Sequence, residues 1–204
     1  MMSKVCVVLL CFLSLLTNAH ANTLLVFGDS LSAAYNLRQQ QGWVSLLSQQ
    51  LNRSHPDVNV VNASISGETT QGGLSRLPKL LETHQPKWVV LELGANDGLR
   101  GYPLNQMKQN LAHMIDQSQQ TGAKVLLVGN HLPSNYGRTY TTQFFNVYSE
   151  LAKEYQLAYV PFMLENVALD STLMQNDGLH PNADGQPVVL ENIAPTLLPL
   201  LNLP

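Results

Sequence analysis

The spacing of apolar residues is the feature that most constrains the fold of this 204-residue chain. Five short apolar runs, each long enough for a strand and too short for a helix, are Thr23–Phe27, Val58–Val61, Trp88–Leu93, Val125–Val128 and Ala158–Val160. Continuous apolar runs indicate strands that are buried on both faces, and such strands alternate with helices in parallel sheets. The sequence therefore predicts an α/β fold, a three-layer sandwich around a mostly parallel five-stranded sheet.

Four segments between and after these runs have apolar residues at helical spacing. They are marked by Trp43, Leu46, Leu47 and Leu51, by Met107, Leu111, Met114 and Ile115, by Phe144, Tyr148, Leu151, Ala152 and Tyr155, and by Leu190, Ile193, Ala194, Leu197, Leu198 and Leu201. We interpret Met107 and Met114 as core residues. In the last segment, Pro195 and Pro199 are expected to kink the helix or to end it early.

Residues 1–21 have the pattern of a secretory signal peptide. Lys4 supplies a positive charge, Val5–Leu16 is almost entirely apolar, and Ala19-His20-Ala21 fits the cleavage signal. The apolar run would rise only about 18 Å as a helix, less than the ~30 Å needed to span a bilayer. We therefore expect one domain from residue 22 to 204, secreted to the bacterial periplasm or beyond the cell, with no stable membrane insertion.

The only two cysteines, Cys6 and Cys11, fall inside this leader. The mature chain would then have no disulfide, no thiol nucleophile and no thiolate metal site. An alternative is that Cys11 carries a lipid anchor, although Leu10 is bulky at a position where that processing requires a small residue.

The charge of the chain argues against nucleic acid and anionic membrane surfaces as partners. The formal net charge is −3, and only 12% of residues are charged, so no basic field exists to neutralise phosphates. The sequence also has no Gly-x-Gly-x-x-Gly motif, no Walker loop and no pair of histidines at ligand spacing. We expect no cofactor and no metal, and a monomer.

Polar, glycine-bearing turns follow three of the predicted strands. In parallel sheets, ligands bind outside the carboxyl ends of the strands, and a later loop can fold over the same edge. The four clusters are Gly28-Asp29-Ser30-Leu31, Asn62-Ala63-Ser64-Ile65-Ser66-Gly67, Gly94-Ala95-Asn96-Asp97 and, before the final helix, Asp177-Gly178-Leu179-His180.

Together these clusters supply every group that acyl transfer requires. Ser30 is the candidate nucleophile, His180 the base, and Asp177 the group that orients the base. The oxyanion donors would be the backbone N–H groups of Ser30 and Gly67 and the side-chain amide of Asn96. Taken singly, each motif is as typical of a turn or a helix cap, but four different roles at one edge favour catalysis.

Other interpretations remain open at this point. A glycosidase that uses Asp29 and Asp177 would leave the serine, glycine and asparagine without a role, and a non-catalytic lipid- or sugar-binding module is a further alternative. His131 follows a predicted strand, where it would line the pocket or serve the structure. The histidines at 55, 84 and 113 are interpreted as surface or structural residues.

The four clusters resemble the conserved blocks of the SGNH (GDSL) hydrolases, and the similarity extends from Thr23 to the final helix. It is greatest to secreted bacterial members described as thioesterases and lysophospholipases. The resemblance implies a flavodoxin-like fold and a triad of Ser30, Asp177 and His180. It also implies an oxyanion hole from Ser30, Gly67 and Asn96, and hydrolysis of thioesters, simple esters and lysophospholipids.

The resemblance further implies an apolar acyl groove, and it leaves the substrate range open. The loops at 98–103 and 132–140 would flank this groove through Leu99, Tyr102, Leu132 and Tyr136. Ala34 and Ala95 stand where related sequences often have glycine, which would stiffen the loops and shift the substrate range. Carbohydrate acetylesterases also occur in the family and use the same triad.

The leader makes a prediction that is testable on the expressed protein. When the full chain is produced in a bacterium, we expect the periplasmic fraction to contain a product that begins at Asn22, as determined by mass spectrometry and N-terminal sequencing. A lipid-modified product that begins at Cys11, or a product that keeps residues 1–21, would contradict this prediction.

Overall fold

The computed structural model describes residues 22–201. The predicted leader, residues 1–21, lies outside the described residues. The strands are β1 (Asn22–Gly28), β2 (Val58–Asn62), β3 (Trp88–Glu92), β4 (Lys124–Val128) and β5 (Ala158–Val160). The helices are α1 (Trp43–Ser54), α2 (Thr70–His84), α3 (Ala95–Leu99), α4 (Leu104–Gln120), α5 (Arg138–Glu154) and α6 (Gly185–Leu201), with short 3₁₀ turns at Gln39–Gln41 and Ser134–Tyr136.

The five strands form one sheet in the order β2-β1-β3-β4-β5. Every neighbouring pair is parallel. This is the doubly wound, flavodoxin-like strand order, in which the direction of winding reverses between β1 and β3. The predicted α/β sandwich with a five-stranded parallel sheet is confirmed.

Two hydrophobic clusters cover the two faces of the sheet. In β1, Leu24 and Val26 pack with α1 and α6, whereas Leu25 and Phe27 pack with α2, α4 and α5. The alternation follows from the strand period of two, and burying each such side chain contributes roughly 1.5–3 kcal/mol. Met107 and Met114 are fully buried in the second cluster, in agreement with their interpretation as core residues.

The expectation that all five strands are fully buried was wrong for the two edge strands. Val60 and Val61 of β2 are only partly buried, as are Ala158 and Tyr159 of β5. Each of these strands has a single neighbour in the sheet. The helix layers therefore cover them less completely than they cover β1 and β3.

The expected early end of the last helix was also wrong. Helix α6 continues through Pro195 and Pro199 to Leu201. Both prolines and Glu191 lie on the exposed side of the helix, so the carbonyl groups that lose an N–H partner face water, where the loss costs little. Ile193, Leu197 and Leu201, which follow one another at intervals of four residues, face the core.

Helix α2 was not predicted from the sequence. It contains Gly72, Gly73 and Pro78, residues that usually mark loops. A methyl group at Gly73 would lie 2.5 Å from a methyl carbon of Leu93, so this glycine lets the helix approach the sheet closely.

Within residues 22–201, none of the helices combines the length and the apolar character that crossing a membrane would require.

Candidate active site

The candidate site lies at the carboxyl edge of the sheet, where the winding reverses. Ser30 follows β1 and Asn96 follows β3, and these two strands are neighbours. The turn that contains Gly67 is joined to the end of β1, because the Ile65 N–H donates to the carbonyl oxygen of Gly28 at 3.1 Å. All three predicted turns therefore meet at one edge, as the strand topology requires.

Ser30, His180 and Asp177 form a continuous chain of hydrogen bonds. His180 Nε2 lies 2.8 Å from Ser30 Oγ, and His180 Nδ1 lies 2.7 Å from Asp177 Oδ2. An ionised carboxylate can only accept, so Nδ1 carries the proton, and Nε2 of the neutral ring accepts from the serine hydroxyl. The geometry matches that of a serine hydrolase triad.

Asp177 is held in its ionised form by its surroundings. Its Oδ1 accepts backbone N–H groups from Leu179 at 2.9 Å and from His180 at 3.0 Å. Partial burial raises the pKa of Asp177, but these hydrogen bonds and the His180 ring outweigh it and hold the pKa below its usual value. A permanent negative charge therefore faces the imidazole ring.

Tyr35 is a further contact of the histidine that the sequence analysis missed. Its ring lies 4.5 Å from the His180 ring, centroid to centroid, and its backbone oxygen accepts from the Gln175 side chain at 3.0 Å.

The nearby Ala34 has φ of +57°, a left-handed conformation that costs a residue with a Cβ roughly 1–2 kcal/mol. A glycine at position 34 would adopt this conformation without that cost, whereas Ala95 has no positive φ.

The three candidate oxyanion donors surround the serine. The Asn96 side chain donates one N–H to Asp29 Oδ2 at 3.0 Å, which leaves its second N–H available. Gly67 has φ of +79°, which favours glycine. Within residues 22–201, the backbone N–H groups of Ser30 and Gly67 donate to no protein acceptor, so both are available to a ligand.

A cavity of about 920 Å³ opens beside Ser30. Leu99 and Leu132, two of the four predicted substrate residues, line it, but Tyr102 and Tyr136 do not. The Tyr136 hydroxyl instead donates to the backbone oxygen of Leu99 at 2.9 Å, so it supports the cavity wall from behind. The part of the lining that comes from the segment after β5 was not predicted. It has five apolar residues, Phe162, Leu164, Ala168, Leu169 and Met174, and three polar ones, Glu165, Asn166 and Asp170.

His131 lines the cavity and is held between two aromatic rings. Its ring stacks on Phe145 at 4.2 Å and meets the edge of Phe162 at 4.6 Å. Burial lowers the pKa of His131, against the opposing charge of Glu165.

The other histidines of the described residues, at positions 55, 84 and 113, do not line the cavity. Across the described part of the chain, His, Cys, Asp and Glu side chains form no group of three or more that could hold a metal ion.

Comparison with known proteins gives the family. Residues 26–188 match the model of the GDSL-like lipase/acylhydrolase family. The chain belongs to this family. It is thus an acyl hydrolase by descent, as the resemblance of its four sequence blocks predicted.

Relatives with known names include two curated proteins and a solved structure. Esterase TesA of Pseudomonas aeruginosa is 53% identical over 183 residues, which cover 90% of this chain and 91% of that protein. Thioesterase 1/protease 1/lysophospholipase L1 of Escherichia coli K12 is 47% identical over 193 residues, 94% of this chain and 91% of that protein. The esterase EstA from Pseudoalteromonas sp., in a structure inhibited by monoethylphosphonate, matches with a TM-score of 0.84 and 41% identity over 89% of this chain and all of that chain.

Arg100 is a residue to which the sequence analysis gave no role. It follows α3, and its Nη2 donates to the backbone oxygen of Gly67 at 3.1 Å. The arginine therefore connects the loop that contains Gly67, a candidate oxyanion donor, to the segment that carries Asn96.

We predict that Arg100→Met lowers kcat for ester hydrolysis about fivefold, because loss of roughly 1 kcal/mol of hydrogen bonding loosens the Gly67 loop. Steady-state kinetics on a short-chain nitrophenyl ester measure this effect. The matched control is Arg53→Met, since Arg53 also donates to a backbone oxygen, that of Gln49, but lies in the last turn of α1. Equal kcat values in the Arg100 and Arg53 variants would contradict the prediction.

Proposed function

We propose that the protein hydrolyses carboxylic esters and thioesters of fatty acyl groups, including lysophospholipids, through an acyl-enzyme formed on Ser30. The observation that carries the proposal is the hydrogen-bonded chain of Ser30, His180 and Asp177 beside a cavity with a predominantly apolar lining. The names of the relatives, which are esterase, thioesterase and lysophospholipase, support the same chemistry.

The first half of the reaction forms the acyl-enzyme. Ser30 Oγ attacks the acyl carbon while His180 Nε2 removes its proton, and the ionised Asp177 stabilises the imidazolium that results. The negative charge that develops on the carbonyl oxygen is received by the N–H groups of Ser30 and Gly67 and by the Asn96 amide. His180 then returns the proton to the departing alcohol or thiol.

The second half repeats these steps with water. His180 removes a proton from a water molecule that attacks the acyl-enzyme, and the same donors bind the second oxyanion. Collapse of this intermediate releases the fatty acid and restores the Ser30 hydroxyl. Every step uses side chains already in place, and no step in this scheme requires a cofactor.

The cavity favours an acyl chain as its occupant. Its volume lies within the usual range for small-molecule sites, roughly 300–1,000 Å³. Its walls include Leu99, Leu132, Leu164 and Met174, and at its rim Leu169 is fully exposed to solvent. An exposed leucine that lines this cavity is suited to contact with the outer part of a long chain.

We predict that Ser30→Ala lowers kcat/KM for nitrophenyl octanoate by at least about 10³-fold, because the nucleophile is lost and only binding and the oxyanion donors remain. A serine-directed fluorophosphonate should label the native protein at Ser30 and leave the variant unlabelled. The matched control is Ser149→Ala, which removes a half-buried hydroxyl on α5 that donates to the backbone oxygen of Asn146. Labelling at another residue, or undiminished hydrolysis by Ser30→Ala, would exclude the proposed nucleophile.

A second prediction separates the fatty acyl role from carbohydrate deacetylation. We expect kcat/KM to rise at least about tenfold from nitrophenyl acetate to octanoate, since each buried methylene contributes up to about 0.8 kcal/mol. Leu169→Ser should lower the rate on palmitate more than on acetate, because the rim contacts only long chains.

The competing roles give different results in this series. A sharp fall in kcat/KM beyond acetate would favour the carbohydrate acetylesterase. A protein that binds acyl chains but hydrolyses none of the esters would be the non-catalytic module. The matching S-octanoyl thioester, measured beside the oxygen ester, shows whether the site accepts both leaving atoms.

A further inference from the structure

The carboxyl group of Glu92 is buried directly beneath the turn from Asp29 to Ser32, which carries Ser30. Glu92 is the last residue of β3 and pairs across the sheet with Gly28. Its Oε2 accepts the Ser32 hydroxyl at 2.7 Å and the backbone N–H of Asp29 at 3.3 Å. The two hydrogen bonds bracket Ser30 from both sides of the turn.

The space for this carboxyl group exists because residue 28 is glycine. A Cβ at Gly28 would lie 2.5 Å from Glu92 Oε2 and 2.9 Å from Ser32 Oγ. Gly28 does not have a positive φ, so its backbone conformation is open to other residues. A Cβ there would also lie 2.9 Å from the backbone oxygen of Glu92. The glycine that begins the Gly-Asp-Ser motif is therefore required by the close contact with Glu92, whose carboxyl group lies nearest, rather than by a positive φ.

A second buried carboxyl group, that of Asp29, lies beside the first. Asp29 Oδ1 accepts the backbone N–H of Leu31 at 3.1 Å, and Oδ2 accepts the Asn96 amide at 3.0 Å. Among the ion pairs of residues 22–201, neither Asp29 nor Glu92 takes part. Two neighbouring carboxyl groups without a cationic partner do not both ionise in a buried site.

The surroundings decide which of the two keeps the proton. Burial raises the pKa of Asp29 to about 6, while Leu31, His180 and Asn96 oppose the rise. Burial also raises the pKa of Glu92 well above its usual value, and the charge of Asp29 raises it further. The hydrogen bonds agree with these directions, because both oxygens of Asp29 accept one, whereas within residues 22–201 both bonds to the Glu92 carboxyl group end on Oε2 and leave Oε1 to carry a proton. The negative charge is therefore assigned to Asp29 and the proton to Glu92.

The other titratable groups around the pair do not alter this assignment. From α5, Tyr148 faces both carboxyl groups, and burial followed by their charges raises its pKa well above the usual value, so it stays a neutral phenol. From α3, Asp97 adds a negative charge that opposes ionisation of Asp29. His180 is the group that favours ionisation of Asp29, and it lies on the side of the serine.

We propose that Glu92 is a positioning residue that acts as a neutral carboxylic acid, fixing the turn from Asp29 to Ser32 and keeping a second negative charge away from the oxyanion site. The proposal rests on the proposed function, because it takes Ser30 as the nucleophile. Asp29 connects the two parts, since its backbone N–H binds Glu92 and its side chain orients the Asn96 amide. Ionised Glu92 would oppose the charge that forms on the substrate oxygen.

Two substitutions separate the neutral role from a charged one. Glu92→Gln keeps the shape and an acceptor without a charge, and it should retain kcat within about threefold of the native value at pH 7. Glu92→Met keeps the length but cannot accept a hydrogen bond, and its kcat should fall at least tenfold with KM nearly unchanged. Nitrophenyl butyrate serves as the substrate, with Ser30→Ala as the blank.

The pH dependence of stability gives a readout that needs no catalysis. The ordinary pKa of a glutamate is 4.5, and above it the folded chain still holds the Glu92 proton while the unfolded chain has lost it. Folding stability therefore falls as the pH rises from about 4.5 towards the folded pKa, by up to tenfold in the unfolding equilibrium per pH unit. Urea unfolding between pH 5 and 8 should show this slope in the native protein and a smaller one in Glu92→Gln.

Infrared spectroscopy in D₂O detects the proton directly. The native protein at pH 7 should show a carbonyl stretch of a protonated carboxyl group that Glu92→Gln lacks. Glu82→Gln is the matched control, since Glu82 is exposed and paired with Lys79 at 2.8 Å, and this variant should keep the band.

Each outcome bears on a distinct part of the proposal. Absence of the native band, or loss of activity in a folded Glu92→Gln variant, overturns the neutral role. Native kcat in Glu92→Met overturns the positioning role. If the methionine variant does not fold, Ser32→Ala replaces it, since it removes one of the two hydrogen bonds that hold the turn, and unchanged kcat there overturns the positioning role. If the native protein hydrolyses no ester, the proposed function fails, while the infrared and urea measurements still test the proton on Glu92.

Discussion

The parallel pairing of β1 with β3 is the constraint on which the rest of the site depends. It places Gly28 opposite Glu92, so the chain leaves both strands at the same edge, and backbone pairing alone makes the turns with Ser30 and Asn96 neighbours. Pairing of β1 with β2 adds the turn with Gly67. The histidine is the one component that this pairing does not supply. It lies 150 positions after the serine, and its loop is fixed separately, by the bridge between Met174 and Pro181 and by the hydrogen bonds of Asp177.

Much of the fold was predictable because strands buried on both faces leave a local signal. All five apolar runs became strands, with ends that moved by one residue or so. The failures at α6 and α2 have a common cause, which is that a residue's effect on a helix depends on the direction in which it faces. Pro195 and Pro199 were expected to disrupt α6, but they lie on its exposed side. Gly73 is typical of a loop and prevented the prediction of α2 from the sequence, although its missing side chain is what lets that helix pack on the sheet.

The site was predictable to the extent that its residues sit directly after strands. Ser30, Gly67 and Asn96 could be found in this way, and His180 from the Asp177-Gly178-Leu179-His180 cluster before the final helix. Arg100, Tyr35 and the cavity lining from Phe162 to Met174 could not. These residues act through contacts with distant parts of the chain, and no local pattern marks them. Glu92 did leave a signal, since it is the one charged residue in the apolar run Trp88–Leu93. A charge inside a strand that is otherwise fully apolar indicates a buried ionisable group.

Three carboxyl groups near one serine are compatible with ester hydrolysis only because their surroundings differ. Asp177 is partly exposed and accepts two backbone N–H groups, so it stays ionised and stabilises a positive imidazole. Asp29 and Glu92 are buried beneath the turn that carries Ser30, and burial opposes their ionisation. The negative charge of Asp177 therefore lies beside His180, where it stabilises the imidazolium. Beneath the turn, the negative charge is limited to that of Asp29, which orients the Asn96 amide. The aspartate of the Gly-Asp-Ser motif thus places one buried negative charge near the site, which repels the negative charge that forms on the substrate oxygen. In this chain the neighbouring Glu92, in the space left by the glycine, is protonated and adds no second repulsive charge.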